Sequence, residues 1–208
     1  MLEVKDYVVF EESIYCAIRG ARNSYNSWDK SDTYMANSGV ARVGSDDMKL
    51  MVNLVKAGPS HRKFLRQIFV SVDINAPLYW WKEFDQYKVG VTTNSCSTMH
   101  TIMRSEFTED MFSFEALRKI GMDSSIDDIL TDLNYLRDMY LDTKNKNVWK
   151  ALIQLLPSSF NQLRTVTMSY ENVLNIIEQR KGHKLNEWEQ LIDVLMQMPL
   201  IKEVVENR

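Results

Sequence analysis

Ile68, Val70, Val72 and Ile74 alternate with Phe69, Ser71 and Asp73, the two-residue rhythm of a strand with one buried face. That strand is read over 64–75 and ended by Asn75-Ala76-Pro77. Pro77 suits the first turn of a following helix over 77–88. A shorter strand is expected over 4–10. Ile14, Ala17, Ile18 and Ala21 recur at helical spacing and predict a helix over 13–22. Ser45 is placed to N-cap a helix over 46–57. Asp46 and Asp47 suit its positive end, and Gly58-Pro59 stops it. The polar stretch 23–44 and the small polar residues 89–100 read as loops.

The second half reads as helical. Segments are expected over 108–119, from Ser124 or Ser125 through Tyr140, over 145–156, over about 159–180 and over 185–198. In the second of these, Ile126, Ile129, Leu130, Leu133 and Leu136 share one face. Asp123, Asp127 and Asp128 near its start read as solvated charges that compensate the helix dipole. The pattern predicts an α/β (α+β) fold, a small sheet with many helices, in a single domain over 1–208.

Composition narrows this picture. Seven glycines and four prolines in 208 residues leave few tight turns, which disfavours a β-sandwich or barrel. Cys16 and Cys96 are too few for a disulfide scaffold or a four-thiolate zinc site. His61, His100 and His183 leave little room for a multi-histidine centre, so no metal site is expected. A net charge of −3 argues against an extended nucleic-acid surface. No apolar run approaches the roughly 18 residues of a membrane span. The acidic start MLEVKDYVVFEES is unlike a signal peptide, so a cytoplasmic protein is expected.

Candidate chemistry concentrates between His61 and His100. Over Val91–Thr98, seven of eight side chains are hydroxyl, amide or thiol. Such donors can wrap a phosphate or a base edge, and the same composition suits a solvated loop with local turn bonds. Arg62, Lys63 and Arg66 form the most basic short run, able to hold an anion or to stand as a solvated edge. Arg180-Lys181-Gly182-His183-Lys184 is a second basic cluster, where cations also complement a helix C-terminus. Cys96 suits a structural role better than a reactive one. There is no Walker loop and no dinucleotide glycine fingerprint.

The order of these segments resembles the flavin-dependent thymidylate synthases over roughly 14–100 and 150–198. Ile18-Arg19-Gly20-Ala21-Arg22-Asn23-Ser24 is similar to the family's early Ala-Ala-Arg-x-Ser. The segment over 46–57 with Gly58 and His61 resembles the one presenting a flavin-contacting histidine. Asn172 to Arg180 resembles the family's helix ending in a nucleotide-binding arginine, and His183 with Asn186-Glu187-Trp188-Glu189 continues the similarity.

The family motif Arg-His-Arg-x-x-Ser-x-Asn-Glu-x-Ser-x-Arg-Tyr is rewritten here. Gln86, Tyr87, Lys88, Val91, Thr93, Asn94, Cys96, Thr98 and Met99 stand at its positions, and only Lys88 keeps a positive charge. Each lost charge-assisted bond to a phosphate is worth roughly 1.5–3 kcal/mol. Arg62, Lys63 or Lys82 are candidates to compensate.

The resemblance implies FAD, with Ser24, His61, Lys88, Asn175 and His183 at the cofactor. It implies a pyrimidine nucleotide held by Glu83, Asn94, Cys96, Ser97 and Arg180. The implied reaction passes a one-carbon unit from methylenetetrahydrofolate to C5 of dUMP, with NADPH as reductant and no enzyme nucleophile. A homotetramer is implied as well. The altered motif also resembles phage and prophage proteins. That implies, as the alternative, a catalytically inactive scaffold serving as an interaction or regulatory module with a host protein partner.

Overall fold

The alternation around residue 70 forms the strand it predicts, shifted toward the C-terminus. The computed structural model describes residues 1–206. In chain order the elements are β1 (Glu3–Val9), α1 (Glu11–Asn23), β2 (Tyr34–Met35), β3 (Ala41–Arg42), α2 (Ser45–Lys56), β4 (Phe69–Pro77), α3 (Leu78–Phe84) and β5 (Val91–Ser95). There follow α4 (Thr98–Thr101), α5 (Glu115–Lys119), α6 (Asp123–Thr143), α7 (Lys146–Leu155), β6 (Asn161–Ser169), α8 (Tyr170–Arg180), α9 (Glu187–Leu195) and α10 (Ile201–Glu206). Single 3-10 turns lie at Trp28–Lys30, Lys63–Gln67 and Glu109–Met111. No described helix is long and apolar enough to cross a membrane.

Four strands make one sheet in the order β1-β4-β6-β5, and β2 with β3 forms a small antiparallel pair. Val70, Val72, Ile74 and Ala76 of β4 are fully buried, as are Val166 and Met168 of β6. On the other face the Ser71 and Thr167 hydroxyls lie 3.1 Å apart, and Thr165 donates to Asp73 at 2.5 Å. One face of the sheet is thus core and the other a polar ladder of cross-strand pairs.

The chain divides into two compact units. The first holds 1–3, 74–86 and 94–164. Its core is Ile102, Phe107, Phe112, Phe114, Ile126, Leu133 and Leu152, where α6 packs on α7. Asn145 caps α7 by accepting from the Asn147 N–H at 2.9 Å. Trp80, Trp81 and Phe84 of α3 are buried together, with Arg164 stacked on Trp81 at 4.3 Å. The second unit holds 4–73, 87–93 and 165–208. In it α1 and α8 both pack on the turn at Lys63–Gln67, and α8 packs on α9.

Several predicted boundaries are corrected. Residues 64–67 belong to the 3-10 turn, so the strand starts at Phe69. Pro77 is the last residue of β4 and the N-cap of α3, which stops at Phe84 rather than 88. The expected loop 89–100 contains β5 and α4. The expected helix 108–119 is only a 3-10 turn and the short α5. The helix expected from about 159 is instead β6 up to Ser169 and α8 after it. Consecutive β-branched Thr165, Val166 and Thr167 favour the strand. The Ser169–Asn172 capping box then opens α8.

The start of α2 also differs. Gly44, not Ser45, is its N-cap, and Gly44 brings no side-chain cap. The cap comes from Asp32, whose carboxylate accepts from the Asp46 and Asp47 N–H groups at 2.9 and 3.0 Å. A Cβ on Gly44 would overlap that carboxylate. Gly44→Ala should therefore lower stability by about 1–3 kcal/mol. A urea midpoint equal to the parent's would show that the Asp32 cap is dispensable.

Candidate functional site

Helix α1 turns Ile14, Ala17, Ile18 and Ala21 inward and ends at Asn23. Ser24 follows as its C-cap, with its hydroxyl donating to the Ala21 carbonyl at 3.0 Å. Helix α2 ends at Lys56, and Gly58 two residues on has a φ of +96°, left-handed backbone that suits glycine. The His61 and Arg62 N–H groups both donate to the Gly58 carbonyl, which fixes this turn. The next 3-10 turn buries Phe64 and Leu65. Its three-residue period sets Lys63 and Arg66 on one side. Ser24, His61, Lys63 and Arg66 consequently line one cavity of about 680 Å3, with Tyr25 and Phe64 as aromatic walls.

Arg66 also lines a second cavity, of about 380 Å3, with Asn175, Asn172, Ser169 and Glu171. The capping box holds this second site in shape. The Ser169 hydroxyl donates to Asn172 Oδ1 at 2.7 Å, and Asn172 Nδ2 donates to the Val89 carbonyl at 2.9 Å. Beneath it, Arg62 and Glu171 form a buried ion pair at 3.1 Å. Arg62 thus drops out of the basic run as a free cation, leaving Lys63 and Arg66 exposed.

Arg180, at the end of α8, is half-buried in an aromatic clamp. Its guanidinium lies 4.5 Å from the Trp188 ring centre, and its Nε donates to the Tyr87 hydroxyl at 3.0 Å. Tyr87 in turn donates to Gln179 at 3.1 Å. His183 packs edge-on against Trp188, and its Nδ1 accepts from the Leu185 N–H at 3.1 Å. The imidazole Nδ1 is therefore committed locally. Lys88 is exposed and lines neither cavity.

The remaining candidates belong to the first unit. Cys96 is exposed rather than buried as a structural thiol would be. It lines a cavity of about 470 Å3 with Thr101, Arg104, Asp110 and Asn161. Its carbonyl accepts from Gln162 Nε2 at 2.8 Å, and its thiol lies 3.8 Å from the Thr101 hydroxyl. Glu83 is half-buried on α3, Asn94 is exposed on β5, and Ser97 is the N-cap of α4; none of them lines this cavity. The loop expected to wrap a ligand is thus partly a strand.

Of the implied cofactor residues, Ser24 and His61 come together, and Asn175 joins them through Arg66. Arg66 was legible only as one member of a basic run. Its three-residue spacing from Lys63 is the signal that places the two cations side by side.

No protein-family model and no curated protein sequence matches the chain. Solved structures do. Thymidylate synthase X from Helicobacter pylori, crystallised with FAD and dUMP, matches at a TM-score of 0.70 and 16% identity, over 99% of this chain and 96% of that one. A second structure of the Helicobacter pylori flavin-dependent enzyme, also with FAD and dUMP, matches at 0.71 and 17%, over 98% and 96%. The chain has the flavin-dependent thymidylate synthase fold. The likeness spans nearly all of both chains.

Proposed function

We propose that this chain is a divergent flavin-dependent thymidylate synthase-like protein that binds FAD and a pyrimidine nucleotide. The observation that carries this reading is the pair of cavities joined at Arg66, with Ser24, His61 and Lys63 in one and Asn175 in the other. The donor set fits the cofactor. Lys63 and Arg66 suit a diphosphate, Ser24 and Asn175 suit exchangeable ring or ribose hydrogen bonds, and Tyr25 and Phe64 suit a flat ring.

Bound FAD would supply the one-carbon relay and redox chemistry between methylenetetrahydrofolate, NADPH and dUMP. The chain's own part is to bind and orient. His61 offers a donor and an acceptor at the cavity rim. Arg180, held over Trp188 and bonded through Nε to the Tyr87 hydroxyl, offers its guanidinium to the nucleotide. Lys88 and His183 line neither cavity and are not assigned to the cofactor, and Glu83, Asn94, Cys96 and Ser97 of the first unit are not assigned to the nucleotide. Residues 1–208 act in this reading as one functional domain, assemble as a homotetramer and work in the cytoplasm.

Titration with FAD, followed by flavin fluorescence with and without dUMP, tests the reading. Saturable quenching that tightens with dUMP is expected. Absence of any flavin signal change would end it.

A second reading, the scaffold without methyl transfer, is favoured by one specific observation. Positions of the rewritten motif bond within the chain instead of offering guanidinium groups. The Gln86 amide donates to the Lys82 carbonyl at 3.4 Å, and Gln162 donates to the Thr98 hydroxyl at 3.3 Å. Partners for such a scaffold would be phage or host proteins. Rescue of a thymidine-requiring host by this chain excludes the second reading. FAD binding without rescue supports it.

A further inference from the structure

Beyond the proposed flavin cavity, His61 also borders a separate space of about 540 Å3. Arg22, Ser27, Lys30 and Asn53 supply its other polar groups, Leu54 part of its apolar wall, and among the described residues no carboxylate lines it. The side chain of Arg22 is only 8% exposed. Its Nε donates to Asp47 Oδ1 at 2.6 Å, whereas its Nη2 is buried with no hydrogen-bond partner among the described residues. Both Asp47 oxygens are already engaged, Oδ1 by Arg22 and Oδ2 by Ser31, Asp32 and Thr33. A buried guanidinium donor left unpaired is costly, and an oxyanion is the partner its geometry matches best.

The loop carrying Lys30 is tied down. The Ser27 N–H donates to the Arg22 carbonyl, and the Lys30 N–H to the Ser27 carbonyl. The Trp28 indole donates to Asn23 Oδ1 at 2.7 Å, and Arg19 stacks over Trp28 at 4.5 Å. Lys30 itself is exposed and makes no ion pair among the described residues. A fixed loop holding a free ammonium beside a buried, underused guanidinium is the arrangement of a small anion pocket.

We propose that this cavity is an oxyanion site, taking a phosphate or carboxylate group of a small molecule, with Arg22 as its buried anchor and Lys30 as its outer arm. The proposal does not rest on flavin binding: Arg22 and Lys30 lie outside the flavin cavity, and the Lys30→Met comparison separates this site from the cavity that shares His61 with it.

Titration of the full chain with inorganic phosphate, and separately with glutamate, reads the site through the His61 ring resonances. Saturable shifts confined to His61 among the three histidines are expected with at least one of them. The tighter of the two names the head group. Lys30→Met should weaken binding by about tenfold, whereas Lys202→Met, at an exposed position of α10, should leave it unchanged. Arg22→Lys perturbs the Asp47 pair, so Lys30→Met carries the test. Failure of both anions to move His61, or equal binding by Lys30→Met, would overturn the proposal.

Discussion

Asp47→Ala is expected to destabilise the protein by about 3–5 kcal/mol, a large share of the roughly 5–15 kcal/mol of an ordinary domain. Asp47 is fully buried and accepts from Arg22 Nε, the Ser31 hydroxyl and the Asp32 and Thr33 N–H groups. Removing the carboxylate strands the buried Arg22 charge and orphans three further donors at once. Burial by itself would raise the Asp47 carboxyl. Its hydrogen bonds with Thr33, Ser31 and Arg22, and the charge of Arg22, outweigh burial and hold it below its ordinary 3.8. A carboxyl depressed in the folded state adds stability that is present above its unfolded value. That stability is lost as pH falls through the folded one. Urea midpoints should therefore fall below about pH 4 in the parent chain and change less over that range in Asp47→Asn. Parallel pH curves for the two proteins would show that Asp47 is not the titrating group.

This ion pair illustrates what the sequence displays and what it hides. Asp47 is legible as a first-turn acid of a helix, and the structure does place it there. Its larger role depends on Arg22, on another helix, and on the loop at 31–33. No local pattern encodes that meeting. The same holds for Asp32, which caps α2 from outside the helix and displaces Ser45 from the role its position suggests. Elements set by short-range periodicity survive with small shifts, as α1, α2, α6, α7 and α9 show. Strand β6 is hidden because Leu163 and Val166 also continue the helical stripe of Tyr170, Val173 and Ile177. The β-branched run and the Ser169–Asn172 box were the countervailing signals.

The candidate site was partly legible for a similar reason. His61 and Ser24 are fixed by turns close to them in sequence, and both line one cavity. Arg62 and Arg66 look alike in the sequence. Only tertiary packing sends Arg62 inward to Glu171 and leaves Arg66 at the junction of two cavities. Arg180 is legible as a member of a basic cluster and as the arginine the resemblance implies, whereas its stacking on Trp188 and its bond to Tyr87 depend on contacts the sequence does not order.

Arg66→Glu should weaken FAD binding by about 10–100-fold, from a lost charge-assisted bond plus like-charge repulsion of a phosphate. Arg66 is exposed and makes no ion pair among the described residues, so the substitution should leave stability within about 0.5 kcal/mol of the parent. Arg62 provides the contrast. It is almost fully buried against Glu171, so Arg62→Ala should act on folding before it acts on binding. Flavin fluorescence titrations of Arg66→Glu, Arg66→Lys and Lys202→Glu separate the two effects. The lysine variant should recover part of the loss, since it restores charge without the bidentate fork. The remote Lys202 variant should bind like the parent. If Arg66→Glu also binds FAD like the parent, the cofactor does not cross the junction of the two cavities. The assignment of Ser24, His61 and Asn175 to one ligand then fails with it, because no other side chain in the second unit lines both spaces.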